Sequence, residues 1–433
     1  MSEQLSSFFS IIAWKQRLVF WGGAIFVGIL IVAMTLLSEW AGETYRSISL
    51  EYPWSNFIIA PLGLSLTAWI TFRFFPGSER SGIPQVKTAL EITGNLADRS
   101  RLVSLKIAFG KMFLPIMGLL SGASVGFGGP AVHVGASFMA SLGKAVKFPP
   151  HYMERGLILA GSAAGFAAMF SAPLAGIIFA IEEMGRALEE KISSLVLTAI
   201  IFSGVTAYAI LDNYIFFNDK SFIMPWSQSW IAIPLCGIAG GFLGGLFSKI
   251  IITGGRLLNK SKLPIALIAF ACGSIIAILG YYSNGDSFGT GYSQAKAILT
   301  NSESMDPFFP LFKMLATCAT SFSGIPSGIF VPSIATGAGF GVNLAHWFPV
   351  APASAMILLT MTAYFSGMLQ SPLTSFVIVM EMTGSHEILI PLMATAFFAT
   401  GTSKLINPTP LYRALCDSYI QPVKEEIKAK DEG

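Results

Sequence analysis

Long stretches without a single Asp, Glu, Lys or Arg constrain the fold of this chain more than any other feature of its sequence. The longest extends from Met314 to Met380, which is enough for about three membrane spans of roughly 20 residues each. The other long uncharged runs are residues 18–38, 52–72, 112–143, 156–181, 192–211, 221–248 and 263–285. Only 12% of the residues are charged, whereas soluble domains carry about 25%. The sequence therefore predicts an all-α polytopic membrane protein.

The basic residues are distributed unevenly around the predicted spans. Lys15 and Arg17 precede the first span, the segment 39–51 after it is mostly acidic, and Lys and Arg gather in the loop 73–111 and in the tail sequence "KEEIKAK". Because basic loops stay on the cytoplasmic side, we expect the amino terminus, this loop and the carboxyl tail to be cytoplasmic. This asymmetry explains the net charge of +3 without a nucleic-acid partner. A prokaryotic plasma membrane is the expected location.

Cysteine and histidine give no sign of a metal site or an enzyme. The four cysteines, Cys236, Cys272, Cys318 and Cys416, are isolated and form no C-x-x-C pair. We expect them to be small buried side chains rather than disulfides or metal ligands. The sequence shows no nucleophile–base set and no nucleotide loop, so we predict neither enzymatic activity nor a cofactor.

Two pairs of similar segments indicate an internal repeat. "SGASVGFGGPAVHVGA" begins at Ser121 and "SGIPSGIFVPSIATGA" begins 202 residues later. "SAPLAGIIFAIEEM" at Ser171 and "QSPLTSFVIVMEMT" at Gln370 align Pro173 with Pro372 and Glu182 with Glu381, at an offset of 199. We predict two related halves, about residues 50–210 and 225–405. Repeats with glycine- and proline-broken hydrophobic segments are typical of a transporter or channel with its site between the halves.

Three short stretches resemble helix starts that bind anions: "SGIP" at 81–84, "GFGGP" at 126–130 and "GIFVP" at 328–332. Proline favours the first turn of a helix, and the free N–H groups of that turn attract anions. The last two stretches contain no Lys or Arg, so only partial charges would hold the ion, which lets it leave again.

A pair of acidic residues, Glu182 and Glu183, ends a 26-residue uncharged run. Intramembrane carboxylates are costly and often functional, although a water-exposed helix end is an alternative reading.

These segments resemble the CLC family of chloride channels and proton-coupled chloride exchangers, and the similarity covers about residues 20–415. It rests on six segments in family order: residues 81–84, 126–130, 172–184, 328–332, 371–383 and Pro410-Leu411-Tyr412. The resemblance implies a homodimer with one anion pathway per subunit and a CLC-type inverted repeat of tilted and broken helices.

The resemblance also implies roles for individual residues. The Ser81 hydroxyl, the Tyr412 phenol and the N–H groups of Ile329 and Phe330 would face a central chloride. An outer anion site would use the N–H groups of Phe127, Gly128 and Gly129. Glu183 matches the inner proton-transfer glutamate of the exchangers, and Glu182 beside it is a second candidate for the proton path.

The departures from the family pattern are informative. Gly128 stands where the family commonly has the glutamate that gates the anion path and carries the proton at its outer end, and Phe127 replaces a basic residue. Arg80 stands where a glycine is usual and is expected to alter the inner mouth. Serine at position 81 resembles the chloride-preferring members. Residues 1–413 would form the transmembrane domain, and the tail 414–433 is too short for cytoplasmic regulatory domains.

Three functions follow as hypotheses. The first is passive or uncoupled chloride transport, because Gly128 cannot hold a proton. The second is a chloride/proton antiporter that uses Glu183 and a different outer proton route. The third is a non-conducting membrane protein on the same scaffold, against which Ser81 and Tyr412 argue.

Overall fold

The computed structural model describes residues 11–92, 96–146, 152–185, 193–211, 217, 224, 228–301, 305–417 and 419, and these residues form helices joined by short turns. The helices of the first half are α1 Ile11–Glu51, α2 Asn56–Phe74, α3 Ile83–Glu91, α4 Leu96–Leu102, α5 Leu105–Leu119, α6 Gly128–Ala145, α7 Tyr152–Phe170, α8 Pro173–Phe179 and α9 Ser194–Ile210. Those of the second half are α10 Ala232–Lys260, α11 Ile265–Tyr282, α12 Tyr292–Asn301, α13 Phe309–Phe322, α14 Phe330–Trp347, α15 Ala353–Leu369, α16 Pro372–Thr383 and α17 Leu389–Ile406. The tail segment "KEEIKAK" lies outside the described residues.

Six helical segments in the described part of the chain are long and apolar enough to cross a membrane. They are Trp14–Glu51, Pro53–Phe74, Arg99–Leu119, Ser229–Lys260, Ile265–Tyr282 and Leu389–Asp417. Shorter apolar helices, which include Ser194–Ile210 and Ala353–Leu369, pack among them. The prediction of an all-α polytopic membrane protein is confirmed.

Glycines at helix crossings allow the backbones to approach closely. Gly135 of α6 and Gly161 of α7 face each other, and a Cβ atom at either position would overlap with the carbonyl group of the other. Small residues at such crossings are the usual means by which membrane helices pack, because lipid supplies no hydrophobic force between them. The high glycine content of the sequence is therefore partly explained by packing.

Two repeat-related glutamates each cap a helix in the opposite half. The Glu182 carboxylate accepts hydrogen bonds from the N–H groups of Leu373 (3.1 Å) and Thr374 (2.7 Å) at the start of α16. The Glu381 carboxylate accepts from Leu174 (3.1 Å) and Ala175 (2.6 Å) at the start of α8. Carboxylates satisfy the unpaired amides of a helix start and complement its dipole. This reciprocal exchange is the arrangement that a two-fold rotation of one half onto the other produces.

Two buried lysines, Lys111 and Lys313, form a second repeat-related pair at the offset of 202 residues. Their role was not predicted from the sequence. Lys111 Nζ donates to the carbonyls of residues 78, 79 and 80 at 2.9, 3.2 and 3.0 Å. Lys313 Nζ donates to those of residues 287, 288 and 289 at 3.0, 3.0 and 2.8 Å. Both side chains are fully buried, and each ammonium group has lost its hydration shell. Its three hydrogen bonds to carbonyl oxygens compensate for this loss. Each lysine thereby fixes the loop that precedes a short helix, α3 in one half and α12 in the other.

Candidate functional site

The candidate site forms where three broken segments of the chain meet. Gly126 and Gly328, which the sequence repeat aligns, form a reciprocal antiparallel pair with two N–H···O bonds of 2.8 Å. The loop before α3 joins them, because Arg80 N–H donates to Ile325 O (3.2 Å) and Ser327 N–H donates to Arg80 O (3.3 Å). The starts of helices from both halves are thus brought to one point inside the protein.

The starts of α6 and α14 are equivalent in the repeat and lie against each other. Helix α6 begins at Gly128 after the cap residue Phe127, and α14 begins at Phe330 after the cap residue Ile329. All four residues are buried, as is Gly129. The N–H groups of these five residues have no hydrogen-bond partner in the part of the chain that the structure describes. Buried helix-start amides without partners are a suitable binding site for an anion.

Gly128 has no side chain, and aromatic rings fill the space where a side chain at this position would stand. A Cβ atom at residue 128 would lie 2.8 Å from Phe330 Cδ2 and 3.3 Å from Phe170 Cζ. Phe330 also packs against Phe166, Phe365 and Tyr412, with ring centroids 5.7, 5.2 and 5.9 Å away. The ring of Phe330 therefore separates the Gly128 end of the site from the Tyr412 end.

Two hydroxyl groups face a small cavity at the other end of the site. Ser81, Ile329 and Tyr412 line this cavity, which has a volume of about 50 Å³. Ser81 is 8% exposed and Tyr412 is 1% exposed, and neither hydroxyl has a hydrogen-bond partner of normal geometry among the described residues. A buried hydroxyl without a partner is destabilising unless a ligand or water satisfies it. Gly129 is packed so tightly on Ser81 that a Cβ atom there would overlap with Ser81 Oγ.

Glu183 lies in a buried ion pair that the sequence did not reveal. Its Oε1 is 2.6 Å from Lys87 Nζ, and the two side chains are 1% and 3% exposed. Its Oε2 accepts a hydrogen bond of 2.7 Å from Ser371 Oγ at the start of α16. Lys87 belongs to α3, the helix that follows Ser81, so the carboxylate is tied to the loop of the central site. The only signal in the sequence was a lysine within the short helix that follows "SGIP".

The seven predicted anion-site residues are brought together, whereas Glu183 is paired with Lys87. Ser81, Gly128, Gly129, Ile329, Phe330 and Tyr412 gather around the meeting point of the three segments, and Phe127 caps α6 beside them. Glu182 instead points to the start of α16 as its cap. The described residues contain no group of three His, Cys, Asp or Glu side chains placed to hold a metal ion, and the four cysteines are buried free thiols.

The chain is similar to known chloride transport proteins over most of its length. A model of the family "Voltage gated chloride channel" matches residues 63–404. The H(+)/Cl(-) exchange transporter ClcA of Cronobacter sakazakii is 29% identical over 408 residues, which cover 88% of this chain and 84% of that protein. ClcA of Yersinia pestis bv. Antiqua (strain Angola) is 29% identical over 385 residues, covering 83% and 77%.

Solved structures share the fold. A slow cyanobacterial Cl-/H+ antiporter superposes with a TM-score of 0.77 at 24% identity, covering 93% of this chain and 98% of that one. A CLC-type fluoride/proton antiporter gives 0.74 at 21% identity, covering 94% and 98%. A eukaryotic CLC transporter gives 0.78 at 18% identity, covering 94% and 74%. Because the family model matches well over half of the sequence, the chain belongs to the voltage gated chloride channel family.

Proposed function

We propose that this protein conducts chloride passively across a membrane, through one pathway in each subunit. The pathway would pass the unpartnered amides at the starts of α6 and α14 and the hydroxyls of Ser81 and Tyr412. Partial charges of N–H and O–H groups bind an anion without holding it as tightly as a buried cation would. Chloride is the proposed ion because both relatives named above are H(+)/Cl(-) exchange transporters.

The observation that carries the passive mechanism is the packing at Gly128. Coupled exchange needs a group at the outer end of the path that alternates between binding a proton and yielding to the anion. Here the buried start of α6 faces the ring of Phe330, and residue 128 supplies no group that can take a proton. A phenylalanine ring can move aside for an anion, but it cannot carry a proton with each cycle.

A chloride/proton antiporter is the alternative, and buried Glu183 favours it. The resemblance to the exchangers matches Glu183 to their inner proton-transfer glutamate. The ion pair with Lys87 weighs against this role, because protonation of Glu183 would leave a buried ammonium group without its counter-charge. The alternative therefore requires Lys87 to give up its proton or move when Glu183 is protonated.

Simultaneous measurement of both ions separates these functions. The purified protein is reconstituted in liposomes with an outward chloride gradient, and chloride efflux and proton movement are recorded together. Passive conduction predicts chloride efflux with no proton movement against its own gradient. The double variant Lys87→Met/Glu183→Gln serves as a matched control, because it removes the carboxylate without leaving a buried ammonium group unpaired, and under passive conduction it should leave proton movement absent.

Proton pumping at a fixed ratio to chloride, lost in Lys87→Met/Glu183→Gln, would establish the antiporter instead. Absence of both fluxes, with intact protein in the liposomes, would leave the non-conducting scaffold as the function. Protein-free liposomes give the background leak for both ions.

We further propose a homodimer in a prokaryotic plasma membrane, with both termini in the cytoplasm. Family membership supports the dimer, and the concentration of Lys and Arg in the loop 73–111 supports the orientation. Light scattering of the detergent-solubilised protein tests the dimer. Labelling of single cysteines introduced into that loop, from one side of the membrane at a time, tests the orientation.

A further inference from the structure

Arg80 has a backbone conformation that arginine rarely adopts. Its φ angle is +59°, in the left-handed region that favours glycine. A side chain is kept in such a conformation only where the surrounding structure enforces it, and these positions cluster at functional sites. We therefore expect the Arg80 side chain to have a functional role.

The backbone of Arg80 is held on three sides. Its N–H donates to Ile325 O at 3.2 Å, and its carbonyl accepts from Ser327 N–H at 3.3 Å and from Lys111 Nζ at 3.0 Å. Two of these partners belong to the second half of the chain, and the third is the buried Lys111 of α5. Arg80 is thus placed firmly beside Ser81, and its side chain extends away from a fixed point.

Arg80 contributes to the lining of two cavities. Arg80 lines the cavity of about 50 Å³ that contains Ser81 and Tyr412, and it also lines a wider cavity of about 300 Å³ beyond it. Its Nη2 donates to Asn259 Oδ1 of α10 at 2.6 Å, and Asn259 lines the wide cavity as well. An ion that passes from the wide cavity to the Ser81 hydroxyl comes close to this group.

The charges around the wide cavity favour a small anion. Arg80 and Arg256 contribute two positive charges to its lining, whereas Asp417 contributes one negative charge. Arg80 is partly exposed to solvent, so its attraction is weakened by water and salt and does not trap the ion. This differs from the inner part of the path, where amides and hydroxyls are the only proposed ligands.

We propose that Arg80 is an anion-capture residue at the mouth of the pathway, where its guanidinium group, oriented by Asn259, binds chloride before the ion reaches Ser81 and Tyr412. The proposal rests on an anion path through the site described above, but not on whether chloride movement is coupled to protons. Residue 80 would then set the chloride concentration at which the path fills, and the inner groups would set the rate of passage.

Chloride binding to the detergent-solubilised protein, measured by titration calorimetry, tests this without any need for flux. With the guanidinium charge about 4 Å from a bound chloride and a dielectric constant near the value of about 80 for water, loss of this charge weakens chloride binding roughly fivefold. We expect Arg80→Gln to raise the dissociation constant for chloride by about that factor and Arg80→Lys to stay within twofold of the original. Arg80→Gly removes the charge and suits the left-handed backbone, so it should match Arg80→Gln and separate loss of charge from misfolding.

Lys404→Gln is the matched control, because Lys404 is an exposed cation at the end of α17 that lines neither cavity. It should leave the dissociation constant unchanged. In about 1 M of an inert salt, where the Debye length is roughly 3 Å, the difference between Arg80→Gln and the original protein should nearly vanish.

Three results would overturn the proposal: unchanged affinity in Arg80→Gln and Arg80→Gly, an equal loss in Lys404→Gln, or tighter binding once Arg80 is removed, which would make the arginine a plug. The proton measurements described above decide the passive mechanism separately. The role of Arg80 and the passive mechanism can therefore fail independently of each other.

Discussion

Neutralising Lys87 tests the strength of the buried ion pair that ties Glu183 in place. The two charged atoms are 2.6 Å apart, and neither side chain is more than 3% exposed. Removing one member of such a pair costs about 3–5 kcal/mol, because the other charge is left buried without compensation. In Lys87→Met the Ser371 hydroxyl still donates to Glu183, so we expect the lower end, about 3 kcal/mol.

The double variant Lys87→Met/Glu183→Gln gives the comparison that isolates the charge effect. Replacing both members of a buried pair with neutral groups of similar size is often nearly neutral, so this variant should lose no more than about 1 kcal/mol. Thermal unfolding in detergent measures the difference. For a chain of 433 residues, a loss of about 3 kcal/mol lowers the melting temperature by roughly 3 °C.

Two outcomes would refute this reasoning. If the double variant is less stable than Lys87→Met, the two residues contribute independently and the pair does not hold Glu183. If Lys87→Met unfolds at the original temperature, water already reaches the site and the carboxylate is free to exchange protons. Either outcome would return the antiporter to consideration.

Three further predictions follow from the site. Gly128→Glu must displace the Phe330 ring. We expect chloride efflux from liposomes to slow several-fold at neutral pH and to recover under acidic conditions. Efflux that does not depend on pH would show that residue 128 does not line the path. Ser81→Ala and Tyr412→Phe remove hydroxyls that make no hydrogen bond of normal geometry to the described residues, so the melting temperature should change little. Chloride binding should weaken by about 10-fold or more, as expected for the loss of a hydrogen bond to a charged group, and a large drop in melting temperature would instead assign these hydroxyls to folding. Gly328→Ala places a Cβ atom 2.5 Å from the Gly126 carbonyl oxygen, so it should lower the free energy of unfolding by about 1–3 kcal/mol and reduce chloride efflux. Gly401→Ala meets no atom within 4 Å and should leave both stability and efflux unchanged.

Much of the fold could be read from simple sequence patterns. The uncharged runs predicted a polytopic helical protein, and the described residues contain six helical segments long enough to span a membrane. The proline and glycine pattern placed helix starts near residues 82, 128 and 330, where α3, α6 and α14 begin. These signals are local, because a helix start depends on the residues within one turn of it.

The parts that were missed depend on residues far apart in the chain. Lys87 and Glu183 are 96 positions apart, and Ser371 is another 188 beyond Glu183. Lys111 and Lys313 share the repeat offset of 202 residues, but their role depends on loops 24 to 33 positions away. Glu182 stays a second candidate for the proton path, but its contacts with the start of α16 could not be predicted, because the partner amides lie 191 and 192 positions away. Its carboxylate caps α16, the helix that the repeat alignment pairs with α8.

The sequence by itself determined that this chain is a membrane protein with helix starts suited to anions, and that residue 128 has no carboxylate. Composition and local spacing are enough for these conclusions, because burial of apolar runs in lipid and the chemistry of a helix start do not depend on distant neighbours. Only the tertiary structure decided that Phe330 fills the space at Gly128, that Lys87 pairs with Glu183 and that Arg80 donates to Asn259. These are contacts between elements far apart in the chain, and their distances are set by how the two halves pack against each other.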